Sequence, residues 1–240
     1  MKAVVIASGG MDSATLAYHY ASLGYELHLV GFNYGQRHSK ELDSLVLIAR
    51  QLNAKCSVVD LETLKTHLSG SSLTSDDIAV PDGHYAEETM RITVVPNRNL
   101  IMLSVAAGIA VSEGADVLAT GVHAGDHFIY PDCRPEFIDA ARAAIQLGTE
   151  GHCAEGFTLE APFVNKTKAD IAAYGHELNV MFETTWSCYK GGDIHCGTCG
   201  TCYERHEAFI DAGVTDPTVY LNTPDALVQR ALRTESNDEQ

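Results

Sequence analysis

The chain has 240 residues, 45% of them hydrophobic, with 32 acidic against 16 basic side chains and a formal charge of −16. That length and apolar share suit one large α/β domain with at most a small appendage, and the negative balance, with no Lys/Arg cluster, argues against tRNA or duplex DNA as a partner. No stretch approaches the ~20 apolar residues of a membrane span, no charged segment followed by an apolar run opens the chain, and seven cysteines, an odd number, argue against a disulfide framework; the expectation is a cytosolic protein.

Residues 2–7 (Lys-Ala-Val-Val-Ile-Ala) have the length and composition of a strand. Ser8-Gly9-Gly10-Met11-Asp12-Ser13 follows, and a helical pattern starts at once with Ala14, Leu16, Ala17, Tyr18 and Tyr20. A strand, a glycine turn and a helix start make an anion seat: the glycines let backbone approach a ligand, and the first helical amides are unpaired at the positive end of the helix dipole. The Walker pattern G-x-x-x-x-G-K-[ST] and the dinucleotide pattern G-x-G-x-x-G are both absent. The stretch resembles instead the S-G-G-x-D-S loop of the PP-loop ATP pyrophosphatases, in which it holds the pyrophosphate of ATP while an adenylated intermediate forms. The plain structural alternative is a turn that needs glycine and a serine cap.

Residues 25–32 read as a second strand, ending in Asn33-Tyr34-Gly35-Gln36-Arg37-His38. Leu42, Leu45, Val46, Ile48 and Ala49 mark one face of a helix over 41–52. The loop between them falls at the carboxyl edge of a parallel sheet, where ligands bind in open α/β folds. Residues 55–61 read as a third strand, with Cys56 a small core residue. The stretch 68–91 is polar and aperiodic, long for a loop, and reads as a mobile flap beside the ATP site. Val94-Val95-Pro96-Asn97-Arg98-Asn99 opens a helix to about Glu113, with Asn99 able to cap it. Residues 116–121 make a fourth strand. Strands alternating with helices at these lengths imply a doubly wound parallel sheet with right-handed crossovers.

The next loop, residues 124–137, gathers Asp126, Tyr130, Asp132 and Arg134 with His127, Phe128 and Cys133. It suits a pocket for a polar aromatic ligand, or a helix start with Asp132 as cap and Pro135 in the first turn; a helix over 135–147 follows either way. Residues 158–162 read as a short edge strand, and Asn165-Lys166-Thr167-Lys168-Ala169-Asp170 starts a helix to about Leu178. Lys166 and Lys168 are within reach of a phosphate or simply solvated. Cys188, Cys196, Cys199 and Cys202 then fall within fifteen residues, spaced Cys-x7-Cys-x2-Cys-x2-Cys. Four such thiols suit a closed tetrahedral metal site of structural type. Zinc fits better than an iron–sulfur cluster, because Tyr203-Glu204 stands where the bacterial cluster run has its fourth Cys and Pro. His195 is a competing ligand. A helix over 203–212 follows, and the tail beyond Asn222 reads as frayed.

Ser8 to Ser13, Tyr34-Gly-Gln-Arg-His38, Val95-Pro-Asn-Arg-Asn99, Tyr130-Pro-Asp-Cys-Arg134, Thr185-Trp-Ser-Cys-Tyr189 and the cysteine run together resemble the 7-cyano-7-deazaguanine synthases of queuosine biosynthesis. The resemblance covers Val4 to about Phe209. Two departures are visible: Asp126-His-Phe-Ile precedes Tyr130, where relatives commonly have Asp-x-Ser-Gly, and Gly200 follows Cys199, where an Asp is common.

The resemblance implies a ligase that joins 7-carboxy-7-deazaguanine and ammonia at the expense of ATP, through an adenylated carboxylate and then an adenylated amide. It implies a PP-loop domain over 1–183 (adenine nucleotide alpha-hydrolase-like), a zinc subdomain over 184–213 and a tail over 214–240. It further implies ATP with Mg²⁺ at Ser8, Gly9, Gly10, Met11, Asp12, Ser13, Ala14, Thr15, Leu16, Ala17 and Tyr18. Catalytic roles fall to Asp12, Ser13, Arg98 and Lys168, and substrate contacts to Tyr34, Gln36, Arg37, Asp126, Tyr130, Asp132 and Arg134. One structural zinc ion sits on Cys188, Cys196, Cys199 and Cys202. A homodimer, free ammonia as nitrogen source, and no nucleic-acid or membrane partner complete the implication. Two rivals remain at this point: another PP-loop enzyme acting on tRNA, and a zinc-binding module without catalysis.

Overall fold

The computed structural model describes residues 1–36, 40–67, 70–75, 77–84, 86 and 90–224. Five parallel strands form one sheet: β1 (Lys2–Ile6), β2 (Glu26–Asn33), β3 (Lys55–Asp60), β4 (Val117–Ala119) and β5 (Thr158–Glu160), in the order β3-β2-β1-β4-β5. Val5 lies beside Leu29 of β2 and Ala119 of β4. The helices are α1 (Met11–Ser22), α2 (Lys40–Gln51), α3 (Arg98–Ser112), α4 (Pro135–Gly148), α5 (Lys168–Glu177) and α6 (Gly200–Ala212).

Alternation along β1 sorts the helices into two layers. Ala3, Val5 and Ala7 enter a core with Leu16 of α1, Leu45 and Ile48 of α2, Ile171 of α5 and Phe209 of α6. Val4 points the other way, into a core with Leu103 and Ala106 of α3, Ile138 of α4 and Leu159 of β5. Both faces of β1 are therefore dry, which is why its sequence is a continuous apolar run rather than an alternating one. The doubly wound parallel sheet is as expected. The strand order reverses between β1 and β4, so the crevice at their carboxyl ends is the natural ligand site of such a fold.

Three expectations change. Arg91–Ser112 is by length and composition apolar enough to cross a membrane, although no such stretch was expected. Pro96 and left-handed Asn97, at φ 57°, interrupt it, and the 15-residue helix that remains spans only about 22 Å. Leu103, Ala106, Ala107 and Ala110 pack it onto the sheet. Asn99 is not the cap of α3. Asn97 holds that position, and the Asp132 carboxylate accepts the Asn99 N–H at 3.0 Å. The described parts of 68–91 are packed rather than an open flap: Ser71, Leu73 and Thr74 are buried, Val80 packs with Trp186 and Cys199, and Asp82 bridges to Cys199. Leu68, Ser69, Asp76, Tyr85 and 87–89 lie outside the described residues, as do Arg37, His38 and the tail from 225.

Candidate active site and cysteine centre

The loop after β1 enters α1 through Gly10, the N-cap, and no side chain caps the helix. The serine cap of the structural alternative is therefore missing, and the first amides of α1 are open to a ligand. Ser13 braces the loop from inside: its Oγ accepts the N–H groups of Ser8 and Gly9 at 3.2 and 3.3 Å and donates to the Gly10 carbonyl at 3.1 Å. Gly9 stands at φ +95°, and a Cβ there would lie 2.1 Å from the Glu41 carbonyl oxygen. The glycine is what lets the loop rest on the start of α2. On the other side, the Trp186 N–H donates to the Gly9 carbonyl at 3.0 Å, which ties the loop to the chain that leads into the cysteines.

Two adjoining hollows open over this loop. Ser8, Gly10, Asp12, Glu41, Arg98, His123, Asp126 and Tyr189 line both. Ser13, Tyr34, Gln36, Thr120 and Cys133 belong to one, and Met11, Tyr130, Lys168, Trp186 and Glu204 to the other. Lys168, the first residue of α5, reaches Asp12 Oδ2 at 3.2 Å and Glu204 Oε2 at 2.7 Å. Burial alone would lower its pKa, but the charges of Asp12, Glu204 and Asp126 outweigh burial and raise it. Lys168 is thus a fixed cation. Arg98 heads α3 between the rings of Tyr34 and Tyr130, 5.9 and 5.8 Å from their centroids. A guanidinium flanked by aromatic faces suits a planar anion, because charge and stacking act together. Asp12 Oδ1 is buried without a hydrogen-bond partner.

All four residues assigned catalytic roles, Asp12, Ser13, Arg98 and Lys168, line this cleft. Tyr34, Asp126 and Tyr130 line it too. Gln36 does so with its amide already engaged: Nε2 donates to the Phe32 carbonyl and Oε1 accepts the Tyr34 N–H. Asp132 and Arg134 are not among the cleft's lining residues. One holds α3, and the exposed Arg134 donates to the His127 carbonyl at 2.8 Å. Within the 8–18 stretch, Ala14, Leu16 and Ala17 are core, and the Tyr18 hydroxyl donates to Gln51. Glu41, His123, Tyr189 and Glu204, which carried no role in the sequence reading, also line the cleft. Tyr189 closes a quoted motif and His123 ends a strand, so both had a weak signal. Glu41 and Glu204 had only helical positions that look like solvated acids.

His123, Asp126 and Glu204 stand close enough to hold a metal ion. The imidazole argues otherwise. Its Nδ1 accepts the Gly125 N–H at 3.1 Å, so Nε2 carries the proton, and that N–H faces Asp12 and Asp126 at 3.7 and 3.6 Å. A protonated nitrogen has no lone pair to give, so His123 faces the carboxylates with an N–H rather than as a ligand.

The four cysteines meet 188–202. Their sulfurs all lie within 4.8 Å of one another, with Cys199–Cys202 at 3.5 Å and Cys196–Cys202 at 3.9 Å. Four sulfurs bound at ~2.3 Å to one tetrahedral ion stand about 3.8 Å apart, so the cluster fits a metal site. Backbone N–H groups of Thr198 and Cys199 donate to Cys196 Sγ at 3.3 and 3.4 Å, as suits a thiolate. His195 is not a ligand: its Nε2 accepts the Ser187 N–H and its ring stacks on Trp186 at 4.2 Å.

A family model described as queuosine biosynthesis protein QueC matches residues 2–213. The chain is 54% identical over 223 residues to a 7-cyano-7-deazaguanine synthase of Sinorhizobium fredii, covering 92% of each. To the enzyme of the same name from Brucella ovis it is 53% identical over 220 residues, covering 92% of this chain and 94% of that one. Among solved structures, a 4-thiouridine synthetase–RNA complex with bound ATP shares the fold at a TM-score of 0.50 and 16% identity, over 99% of this chain and 50% of that one.

Proposed function

Because the chain belongs to the queuosine biosynthesis QueC family, we infer that it converts 7-carboxy-7-deazaguanine, ammonia and ATP into 7-cyano-7-deazaguanine, releasing AMP and pyrophosphate. The observation that carries this reading is the meeting of Asp12, Arg98 and Lys168, from three different helices, over the uncapped start of α1. A carboxylate is a poor acceptor because oxide would have to leave; adenylation supplies a good leaving group. The open amides of α1 and the Lys168 ammonium suit the pyrophosphate that departs. Arg98 between Tyr34 and Tyr130 suits the carboxylate of a flat heterocycle, with Asp126 and Tyr189 on the wall beside it.

Magnesium fits the loop: Asp12 Oδ1 is a buried acceptor still lacking a partner, and it would hold the ion that arrives on the phosphates and neutralises their charge. Zinc fits the four thiolates, where a closed shell of sulfurs leaves no open position and the role is structural. The same reading has the enzyme working in the cytoplasm as a homodimer on a free small molecule, with ammonia taken from solution.

Incubation with 7-carboxy-7-deazaguanine, ammonium and magnesium ATP tests the reading, with the nitrile followed by chromatography. Nitrile should form, and withholding ammonium should stop it. Accumulation of the amide without nitrile, or turnover that ignores ammonium, contradicts it.

A further inference from the structure

Glu204 lies one turn into α6, two residues beyond Cys202 and beside Arg205. Both neighbours pin it. Cys202 belongs to the sulfur cluster, and the fully buried Arg205 donates to Thr185, Ser187, Thr218 and the Phe182 carbonyl. The Glu204 side chain is therefore a short, anchored carboxylate, 13% exposed, and Oε2 meets Lys168 Nζ at 2.7 Å. Lys168 Nζ also pairs with Asp12 Oδ2, at 3.2 Å. The ammonium is thus held between a carboxylate of the loop and a carboxylate of the helix that leaves the cysteines.

This arrangement solves a problem of geometry. A lysine side chain is long and flexible, and an ammonium facing Asp12 alone would settle on it, covering the oxygen needed at the phosphates. A counter-pull from the opposite wall keeps the charge facing the cleft. We propose that Glu204 is a positioning residue for the reaction, sharing Lys168 with Asp12 Oδ2 at 2.7 and 3.2 Å so that the ammonium leaves Asp12 Oδ1 uncovered and faces the departing pyrophosphate. The proposal rests on the reading of the Ser8 to Ser13 loop as a pyrophosphate seat.

The two ways Glu204 could act have opposite signs. As a mere negative charge beside an anion site, its removal would tighten anion binding. As a positioning residue, its removal loosens it, because Lys168, no longer shared, moves fully onto the Asp12 carboxylate and covers Oδ1. Calorimetric titration with inorganic pyrophosphate and steady-state turnover with 7-carboxy-7-deazaguanine separate them. Glu204→Ala should weaken pyrophosphate binding about 5-fold and lower kcat about 10-fold, at unchanged metal content, and Glu204→Gln, which keeps an acceptor oxygen, should recover part of both. In a Lys168→Ala background the Glu204 substitution should weaken pyrophosphate binding no further, since residues that act as a unit are not additive. If the alanine variant fails to fold, the same cycle with Glu204→Gln decides. Unchanged or tighter binding, or an equal loss with and without Lys168, overturns the proposal while leaving the reaction in place. A wild-type protein that makes no nitrile overturns both.

Discussion

Gly9 shows how one residue without a side chain fixes the site. Its φ of +95° is strained for any other residue, and a Cβ would meet two backbone atoms of α2, the Glu41 carbonyl at 2.1 Å and the Leu45 nitrogen at 2.7 Å. Backbone cannot rotate away as a side chain can, so Gly9→Ala must displace the loop from α2. Pyrophosphate release should fall at least ~100-fold, the scale of a lost transition-state donor, and the melting midpoint should drop; a variant with near-normal turnover contradicts this account of the loop. Glu41 tells the complementary story. Burial pushes its carboxyl up to about 8, against the opposing pull of Arg98 and Lys168. A native state that keeps this proton while the unfolded chain loses it grows less stable as pH rises from about 4.5 to about 8. Glu41→Gln should flatten that part of the curve of melting midpoint against pH, and an unchanged slope contradicts the assignment. Ser8 to Ser13 was legible because a glycine pair between a strand and a helix start has few other uses. Glu41 and Glu204 were not, because an acid on a helix looks the same whether it faces water or a cleft. The bond from Asn99 to Asp132 has no trace in the sequence for a related reason: the two are 33 residues apart in the chain.

Helices α5 and α6 show how elements bring the site together. Thr167 opens α5 with a capping box, taking the Asp170 N–H while the Asp170 carboxylate takes its own, which fixes the direction in which Lys168 leaves the helix. Gly175 lets α5 close on its neighbours, since a Cβ there would lie 2.4 Å from the Phe182 ring and 2.7 Å from Thr15 Oγ1. Arg205 then fastens α6 to the 182–187 segment and to Thr218. Arg205→Met should lower stability to urea by about 3 kcal/mol, because it removes four charge-assisted hydrogen bonds, to Thr185, Ser187, Thr218 and the Phe182 carbonyl, from a buried site. A loss under about 1 kcal/mol would show that these bonds matter little. The helix over 168–177 was readable from its cap, whereas the start of α6 was placed at 203 and lies at Gly200. The cysteine spacing points to ligands, and the second place of Cys199 and Cys202, as the N-cap and in the first turn of α6, leaves no separate trace in the sequence.

The molecule joins its two strongest sequence signals into one structure. The loop after β1 and the chain leading into the sulfur cluster share a backbone hydrogen bond, Trp186 to Gly9, and α6 runs from the cluster into the same core as β1. A metal on the cluster therefore supports the site without touching it. Elemental analysis should give one zinc per chain, unchanged in Cys56→Ser and lost in Cys199→Ser, and stripping it should unfold the segment, since such ions contribute on the order of 10 kcal/mol. Iron with a visible absorption band contradicts the zinc assignment. The fold class followed from the alternation of strands and helices. The cleft did not, because its walls come from the ends of β1 and β4 and the starts of α2, α3, α5 and α6, and only the sheet order brings these together.

The central claim is that the loop at Ser8 to Ser13 spends ATP by adenylation, twice, on one carboxyl carbon. Two oxygens must leave that carbon to make a nitrile, and each needs its own activation. Counting nucleotide against product in a single incubation with 7-carboxy-7-deazaguanine, ammonium and magnesium ATP is the most direct measurement. Two AMP should form per nitrile, and one when the 7-amide is supplied instead. ADP in place of AMP would mean that the loop transfers the terminal phosphoryl group, and it would contradict the claim.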